Sequence, residues 1–188
     1  MNTMQGYTTT HINKIVIHCA ATPNGKAFNI VNVDQWHKER GFQRQVRHIE
    51  IKGHDFTWQK ELMNMGLLRY PEDIPGHVGY HYLIYVDGTI APGRHLWEQG
   101  AHVRGYNAES IGICLIGTDK FTARQWQSLI TLLHVLRTTA GLHNAAILGH
   151  HDLDKKKSCP CFDVERWIYS CALVSAGYQI WPPGNLLA

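Results

Sequence analysis

Two apolar runs that each end in a histidine constrain this chain more than any other feature. Residues 14–17 run into His18, and residues 145–148 lead through Gly149 into His150. Short apolar runs of this length are typical of buried strands. If the two strands lie side by side in one sheet, both histidines reach the same rim of that sheet.

A cysteine follows the second run across a lysine-rich loop and completes a candidate metal site. Cys159 stands directly before Pro160. Neutral imidazole and thiolate are the side chains that bind zinc best at neutral pH. Three such ligands leave the fourth position of the metal open for water, as in a catalytic rather than a structural zinc site. We therefore expect His18, His150 and Cys159 to converge on one zinc ion.

Two neighbours of these residues are alternative ligands. His151 follows His150, and Cys161 stands two positions after Cys159. Neighbouring side chains on a strand point to opposite faces, so the two histidines are not expected to share one metal ion. His151 is then better explained as a structural histidine beside the site, whereas Cys161 stays open as a substitute for Cys159.

Composition is that of an ordinary globular domain and argues against several classes of protein. The 188 residues fit one domain, with 44% hydrophobic and 18% charged residues. The net charge is +3, and the basic residues form no stripe interleaved with aromatics, so no nucleic-acid partner is expected. No apolar run reaches the length of about 18 residues that a membrane span needs, so no membrane-spanning segment is expected.

The first residues and the cysteines bear on location. Residues 1–11 are polar and lack the regions of a signal peptide. We therefore expect synthesis in the cytoplasm, with a separate release or export step before any work outside. The five cysteines are an odd set whose spacing shows no disulfide framework.

Alternating strand and helix patterns predict an α/β domain with a central mixed β-sheet flanked by helices. Strand patterns occupy residues 14–18, 111–116 and 147–150. A hairpin pattern over residues 79–90 is centred on Asp87-Gly88, which favours a turn with positive φ angles. Helix patterns occupy residues 33–40 after Asn32 as cap, the stretch from Thr122 to Gly141, and a stretch that begins at Asp163.

Two details of these elements are specific. In the longest helix Thr122 is the expected cap and Gln125 stands at the capping-box position. The apolar residues that recur there at helical spacing are Trp126, Leu129, Ile130, Leu133 and Leu136. Gly112, inside the strand at 111–116, indicates that another group approaches the backbone closely.

An insertion at residues 43–77 is the stretch that is hardest to interpret. Residues 48–52 alternate like an exposed strand, and Asp55 or Thr57 can begin a helix that ends before Gly66. We expect an appended subdomain or lid here. At the other end, residues 172–188 are expected to form a C-terminal extension, in which residues 178–183 pack as an extended strip.

Several linked motifs resemble one enzyme family. They are IHCAAT at 17–22, QWHK at 35–38, VGYHY at 78–82, DGT at 87–89, GYN at 105–107, SIGICL at 110–115 and the stretch 149–160. In this order they are similar to the zinc N-acetylmuramoyl-L-alanine amidases, which include amidase-type phage lysozymes and the peptidoglycan recognition proteins. The resemblance extends over about residues 14–170 and implies this family's fold, with residues 1–188 as a single amidase domain.

The resemblance also implies which residues carry the chemistry. It selects His18, His150 and Cys159 as zinc ligands, that is, the first histidine of the pair and the cysteine before proline. Tyr80 and Lys157 match the family's active-site tyrosine and catalytic lysine. Zinc lowers the pKa of its bound water, which attacks the amide, and each positioned donor stabilises the charge on the carbonyl oxygen by about 3 kcal/mol.

Two further residues are implied on the substrate side. His102 matches a histidine beside the zinc site of the phage enzymes, where it binds substrate or assists proton transfer to the leaving amine. Asn107 is expected to hydrogen-bond the glycan or the stem peptide. Both expectations derive from the resemblance.

The implied function is hydrolysis of the amide between the lactyl group of N-acetylmuramic acid and L-alanine, by a phage or prophage endolysin that works as a monomer on the cell wall. The alternative is a non-catalytic module that binds peptidoglycan or a protein. Family members that only bind commonly lack the cysteine, and Cys159 is present. Some phage amidases also bind a polymerase, so a regulatory protein partner is a further alternative.

The insertion departs from the family pattern. In the compact phage amidases only a few residues join the first helix to the Gly-Tyr-His strand. We hypothesise that the insertion forms a wall that contacts the stem peptide or a second protein. The residues of this predicted wall are Trp58, Met63, Met65 and Tyr70.

Overall fold

The computed structural model describes residues 12–44, 57–73, 75–96, 98–138 and 140–175. The strands of this part of the chain are β1 (Lys14–Cys19), β2 (Tyr82–Ile84), β3 (Ile90–Pro92), β4 (Ser110–Leu115) and β5 (Ala146–Gly149). Its helices are α1 (Ile30–Glu39), α2 (Thr57–Asn64), α3 (Ala123–Thr138), α4 (His150–Leu153) and α5 (Val164–Ser175).

The strands form one mixed sheet in the order β3-β2-β4-β1-β5. β1 runs parallel to both of its neighbours, β4 and β5, and β2 is parallel to β4, whereas β3 is antiparallel to β2. The predicted central mixed sheet is confirmed. The two strands that lead into histidines are adjacent, since Ile17 pairs with Gly149. Their carboxyl ends therefore meet at one edge of the sheet, where open α/β sheets usually carry their sites.

The two faces of the sheet carry separate cores. Ile15, Ile17 and Cys19 of β1 pack in the larger cluster, together with side chains of α3 and α5. His18 points to the other face because strand side chains alternate. Its register partner Cys114 packs there with Ile30 of α1.

Helix caps follow the predicted chemistry in α3 and α5 but differ in α1. Thr122 Oγ1 accepts the N–H of Gln125 at 3.1 Å, and Gln125 Oε1 accepts the N–H of Thr122 at 3.0 Å, which confirms the capping box. Asp163 accepts a backbone N–H in the first turn of α5. At α1 the prediction is wrong, because Asn29 is the cap and Asn32 occupies the third helical position of a capping box.

β2 and β3 form the predicted hairpin with a different turn. Gly88 has a φ of 88°, whereas Asp87 does not have a positive φ. Tyr85 donates its N–H to the Thr89 carbonyl at 2.9 Å and accepts the Gly88 N–H at 2.9 Å. The connection therefore spans residues 85–89, and the positive φ falls on the glycine alone.

The described part of the insertion extends the sheet. Leu68 forms a parallel bridge with Ile90 of β3, and Leu62 of α2 is fully buried in the larger core cluster. That cluster lies on the face opposite His18. The described residues 57–68 of the insertion thus pack at the β3 edge and against α3.

Three residues of the predicted wall have described side chains. Met63 on α2, and Met65 and Tyr70 after it, have exposed side chains. A contact of these side chains with a stem peptide stays a prediction. Their contact with a second protein stays a prediction, and the Trp58 side chain lies outside the described part of the chain.

Both ends of the insertion are fixed at one place. The backbone N–H of Arg44 donates to the Gly76 carbonyl at 3.3 Å. The Arg44 side chain donates to Glu98 Oε1 at 2.8 Å and to the Pro75 carbonyl at 2.6 Å. The side chains of this ion pair are only 7% and 3% exposed, so solvent screens the pair weakly.

Two predicted elements, the strand at 48–52 and the strip at 178–183, lie outside the described residues. Within the described ranges, no helix has both the length and the apolar character needed to cross a membrane.

Candidate metal centre

The three predicted zinc ligands come together at the end of β1. The ligand atoms of His18, His150 and Cys159 all lie within 4.8 Å of one another. His18 Nδ1 is 3.7 Å from Cys159 Sγ, and the two histidine ring centroids are 4.7 Å apart. Zinc bonds of about 2.1 Å to nitrogen and 2.3 Å to sulfur separate such atoms by about 3.6 Å in a tetrahedron. The donor set and its spacing therefore fit a zinc ion.

His18 is the buried member of this group. It is 1% exposed, on a strand that is hydrogen-bonded on both sides. Burial lowers its pKa well below the usual range, and the charges of His102 and His150 lower the pKa further. The imidazole is consequently neutral, which is the form that binds a metal. Its Nε2 lies 3.0 Å from His102 Nδ1, so its Nδ1 faces Cys159.

His150 begins α4, and the prediction that it ends a strand is wrong. β5 ends at Gly149, whose N–H donates to Asp152 Oδ2 at 2.7 Å. This carboxylate starts a helical turn, in which successive side chains point about 100° apart. His151 therefore points away from His150. It donates its backbone N–H to the Cys159 carbonyl at 2.8 Å, with Nδ1 3.1 Å from the same oxygen, which agrees with its predicted structural role.

The sulfur of Cys159 is held by the strand that carries His18. The backbone N–H of Cys19 donates to Cys159 Sγ at 3.2 Å and so orients the sulfur. Cys161 Sγ lies 3.9 Å from Cys19 Sγ and is not part of the group of three. Of the two candidate cysteines, Cys159 is therefore the one that the geometry supports.

Tyr80 stands beside the cluster, with its ring centroid 5.2 Å from that of His18. Asp34 and His37 of α1 accept the N–H groups of the two residues before it, at 2.7 and 2.8 Å. Burial, as the largest cause, raises the pKa of Tyr80 well above its usual range. The hydroxyl therefore keeps its proton and remains a hydrogen-bond donor.

Lys157 lies at the exposed rim of the site. Its backbone N–H donates to the Asp154 carbonyl at 2.9 Å, which closes a turn after α4. Burial is the main cause of the lowered pKa of His150, and the charge of Lys157 lowers that pKa further. The lysine is thus close enough to His150 to act on it electrostatically while its side chain is exposed.

His102 and Asn107 belong to one loop beside His18. Asn107 Oδ1 accepts the backbone N–H groups of His102 and Val103, both at 2.8 Å. This oxygen is therefore used within the loop, and His102 Nδ1 is used by His18. A substrate contact by either residue stays a prediction.

Sequence reasoning missed several polar residues that support the site. His81 Nδ1 accepts the Gly112 N–H at 2.9 Å, and its Nε2 donates to the Glu98 carbonyl at 2.9 Å. Burial is the largest cause of the lowered pKa of His81, which is about 4. It is also the largest cause of the lowered pKa of His37, which is about 4. The available signal was the spacing of Asp34 and His37, one helical turn apart on α1.

The family of the chain follows from one comparison. A family model described as N-acetylmuramoyl-L-alanine amidase matches residues 8–162. The chain belongs to this amidase family. The match includes the motifs at 17–22 and 105–107 and reaches past Cys159, which confirms the resemblance found in the sequence.

Similar proteins include several phage endolysins. The endolysin of Enterobacteria phage K11 is 31% identical to this amidase-family chain over 172 residues, covering 87% of this chain and 90% of that protein. The endolysin of Escherichia phage T7 is 33% identical over 170 residues, covering 86% of this chain and 89% of the phage protein.

Solved structures confirm the predicted amidase and recognition-protein fold. The N-acetylmuramoyl-L-alanine amidase LysC from Clostridium intestinale superposes with a TM-score of 0.60 at 24% identity, covering 87% of this chain and 86% of that one. Drosophila peptidoglycan recognition protein SD superposes with a TM-score of 0.51 at 21% identity, covering 79% and 74%. At these identities the likeness concerns the fold.

Proposed function

We propose that this protein is a zinc-dependent peptidoglycan amidase. It hydrolyses the amide between the lactyl group of N-acetylmuramic acid and L-alanine of the stem peptide. The observation that carries the proposal is the convergence of His18, His150 and Cys159 within 4.8 Å, in a chain of the N-acetylmuramoyl-L-alanine amidase family.

His18 and His150 would hold the zinc ion through imidazole nitrogens and Cys159 through its thiolate, as three ligands of one tetrahedral site. When bound, zinc supplies a water of lowered pKa and a positive charge near the scissile carbonyl. The protein contributes the orientation of the three ligands and the neutral form of the buried His18 imidazole.

Tyr80 and Lys157 are proposed to stabilise the negative charge that develops on the carbonyl oxygen. The Tyr80 hydroxyl keeps its proton and lies on a residue whose ring is 5.2 Å from His18. The ammonium group of Lys157 is exposed and able to approach a bound substrate. A single positioned donor of this kind is worth about 10²–10³-fold in rate.

The endolysin relatives support a role in cell-wall lysis by a phage or prophage. We propose that one amidase domain, with its insertion at 43–77 and an extension at 172–188, acts as a monomer on peptidoglycan. It is made in the cytoplasm and reaches the wall after release or export.

Digestion of purified peptidoglycan tests the reaction. We expect new L-alanine amino termini and free lactyl carboxylates, both abolished by a chelator and restored by zinc. New reducing sugar ends, with no new amino termini, would contradict the proposal. Binding of peptidoglycan without any new ends would favour the non-catalytic module instead.

A further inference from the structure

We infer that His102 and Ser110 are positioning residues that fix the proton on Nε2 of His18 and leave its Nδ1 free for the metal. The inference rests on the proposed zinc site, and it assigns His102 a task other than substrate contact. It is carried by a chain of hydrogen bonds from His18 to a backbone carbonyl.

The Tyr106 carbonyl, at the end of this series of hydrogen bonds, sets the direction of all of them. Ser110 Oγ donates to the Tyr106 carbonyl at 2.7 Å, and a carbonyl oxygen only accepts. The serine hydrogen is therefore committed, and Ser110 Oγ faces His102 Nε2 as an acceptor at 3.4 Å. His102 must carry its proton on Nε2 to use that acceptor.

The tautomer of His102 in turn determines that of His18. A neutral histidine with its proton on Nε2 has an acceptor at Nδ1. His102 Nδ1 lies 3.0 Å from His18 Nε2, so His18 donates from Nε2. The remaining nitrogen of His18, Nδ1, then bears a lone pair and lies 3.7 Å from Cys159 Sγ. Hydrogen bonding of this kind sets the tautomer of metal-binding histidines.

The His102 ring has little freedom to leave this arrangement. A Cβ atom on Gly100 or Gly112 would lie only 2.4 or 2.6 Å from the ring. Both positions therefore require glycine, which explains the close neighbour predicted for Gly112 in β4. On the backbone side, Asn107 Oδ1 holds the N–H of His102 at 2.8 Å.

Zinc affinity of the full chain, measured by competition with a chromophoric chelator, tests the inference without peptidoglycan. His102→Leu removes the acceptor for His18, and we expect an affinity loss of about 10–100-fold. His102→Asn keeps an acceptor oxygen at the position of Nδ1 and should restore much of the affinity. Ser110→Ala should cost less, at most about tenfold, because it removes the hydroxyl contact with His102 but keeps the hydrogen bond of that ring to the Ser110 backbone.

Ser170→Ala is the matched control. Ser170 on α5 also donates to a carbonyl four residues earlier, at 2.9 Å, but lies outside the site. Zinc affinity should be unchanged in this variant. Melting temperatures of the zinc-free variants separate loss of folding from loss of metal, and Ser110→Ala keeps the test decisive if His102→Leu does not fold.

Two results would overturn the inference. Unchanged zinc affinity in His102→Leu with a raised KM for peptidoglycan would make His102 a substrate contact. Equal losses in His102→Leu and His102→Asn, with none in Ser110→Ala, would mean that the ring only fills space. If the variants show the expected order of zinc affinities but the wild-type protein releases no L-alanine termini, the proposed reaction is refuted and the inference stands.

Discussion

His18 and Cys159 bring their ligand atoms to the same point from different surroundings. His18 is 1% exposed on β1, which has a hydrogen-bonded strand on each side, and it is backed by His102. Cys159 is partly exposed in the loop after α4. That loop is held by bonds such as those from His151 to the Cys159 carbonyl.

The metal centre thus has a strand half, formed by His18 on β1, and a loop half, formed by Cys159 in the loop after α4. The strand half is in place once the sheet has formed, because its side chain is packed and its hydrogen bonds are internal. The loop half depends on a few bonds near solvent, and a bound ion would contribute more to its order. Variants in the two halves should therefore fail in different ways.

Replacing the Cys159 sulfur in the loop half should give the largest loss of zinc binding and activity. Cys159→Ser should abolish tight zinc binding and lower amidase activity by at least about 10³-fold, since the metal supplies several kcal/mol of stabilisation. Zinc content and L-alanine release measure the two effects. Cys161→Ser is the control and should keep both, because its sulfur is outside the ligand group. Equal losses in the two variants would contradict the assignment.

Acid should lower the free energy of unfolding through His81, which accepts the Gly112 N–H of β4 beside the strand half. The folded-state pKa of His81 is about 4 because the ring is buried, against about 6.5 in an unfolded chain. The unfolded state then binds the extra proton, so the stabilisation is complete above pH 6.5 and is lost as pH falls towards 4. Its size is up to about 3 kcal/mol.

Denaturant unfolding of the zinc-free protein at pH 7 and pH 4.5 measures this effect. His81→Asn keeps an acceptor but does not titrate, so its free energy of unfolding should fall less between the two pH values than that of the wild type. An equal fall in both proteins would show that His81 is not the cause.

Tyr80→Phe should separate catalysis from metal binding. The variant loses one donor to the carbonyl oxygen, and we expect about 10²-fold lower activity with unchanged zinc affinity. Tyr85→Phe is the matched control, because the Tyr85 hydroxyl accepts the N–H of Ile30 at 2.9 Å, at the start of α1 and outside the ligand group. That control should keep its activity, and a loss as large as that of Tyr80→Phe would point to folding instead.

His151→Ala should give the smallest effect and sharpen the description of the loop half. It removes the ring that contacts the Cys159 carbonyl but leaves the backbone bond between the two residues. We expect about tenfold weaker zinc binding, as for other residues that orient a ligand. Chelator competition measures it, and an unchanged affinity would mean that the backbone bond alone is sufficient.

Local patterns predicted the elements whose signals are local. The capping box of Thr122 and Gln125 requires only residues three positions apart, and β1 is a continuous apolar run. The adjacent placement of β1 and β5 followed from two runs ending in histidine. The three ligands were expected from these runs and the cysteine that follows them, whereas the selection of Cys159 over Cys161 and the role of Tyr80 came from the family resemblance.

The failures concern choices that local patterns leave open. Asn29 and Asn32 are both good caps, and only the folded helix decides between them. His150 was assigned to a strand because the Asp152 carboxylate that starts α4 was not recognised as a capping group. The burial of Leu62 against the sheet is a long-range contact, as is the bond between His18 and His102.

The closed base of the insertion has a consequence for how this protein can vary. Because the Arg44 N–H meets the Gly76 carbonyl, the backbone departs and returns at neighbouring points. Glu98 secures the same place from the sheet side through its ion pair with Arg44. A different sequence between these two points would therefore leave the ends of β1 and β5 in place, provided that it still fills the core position of Leu62.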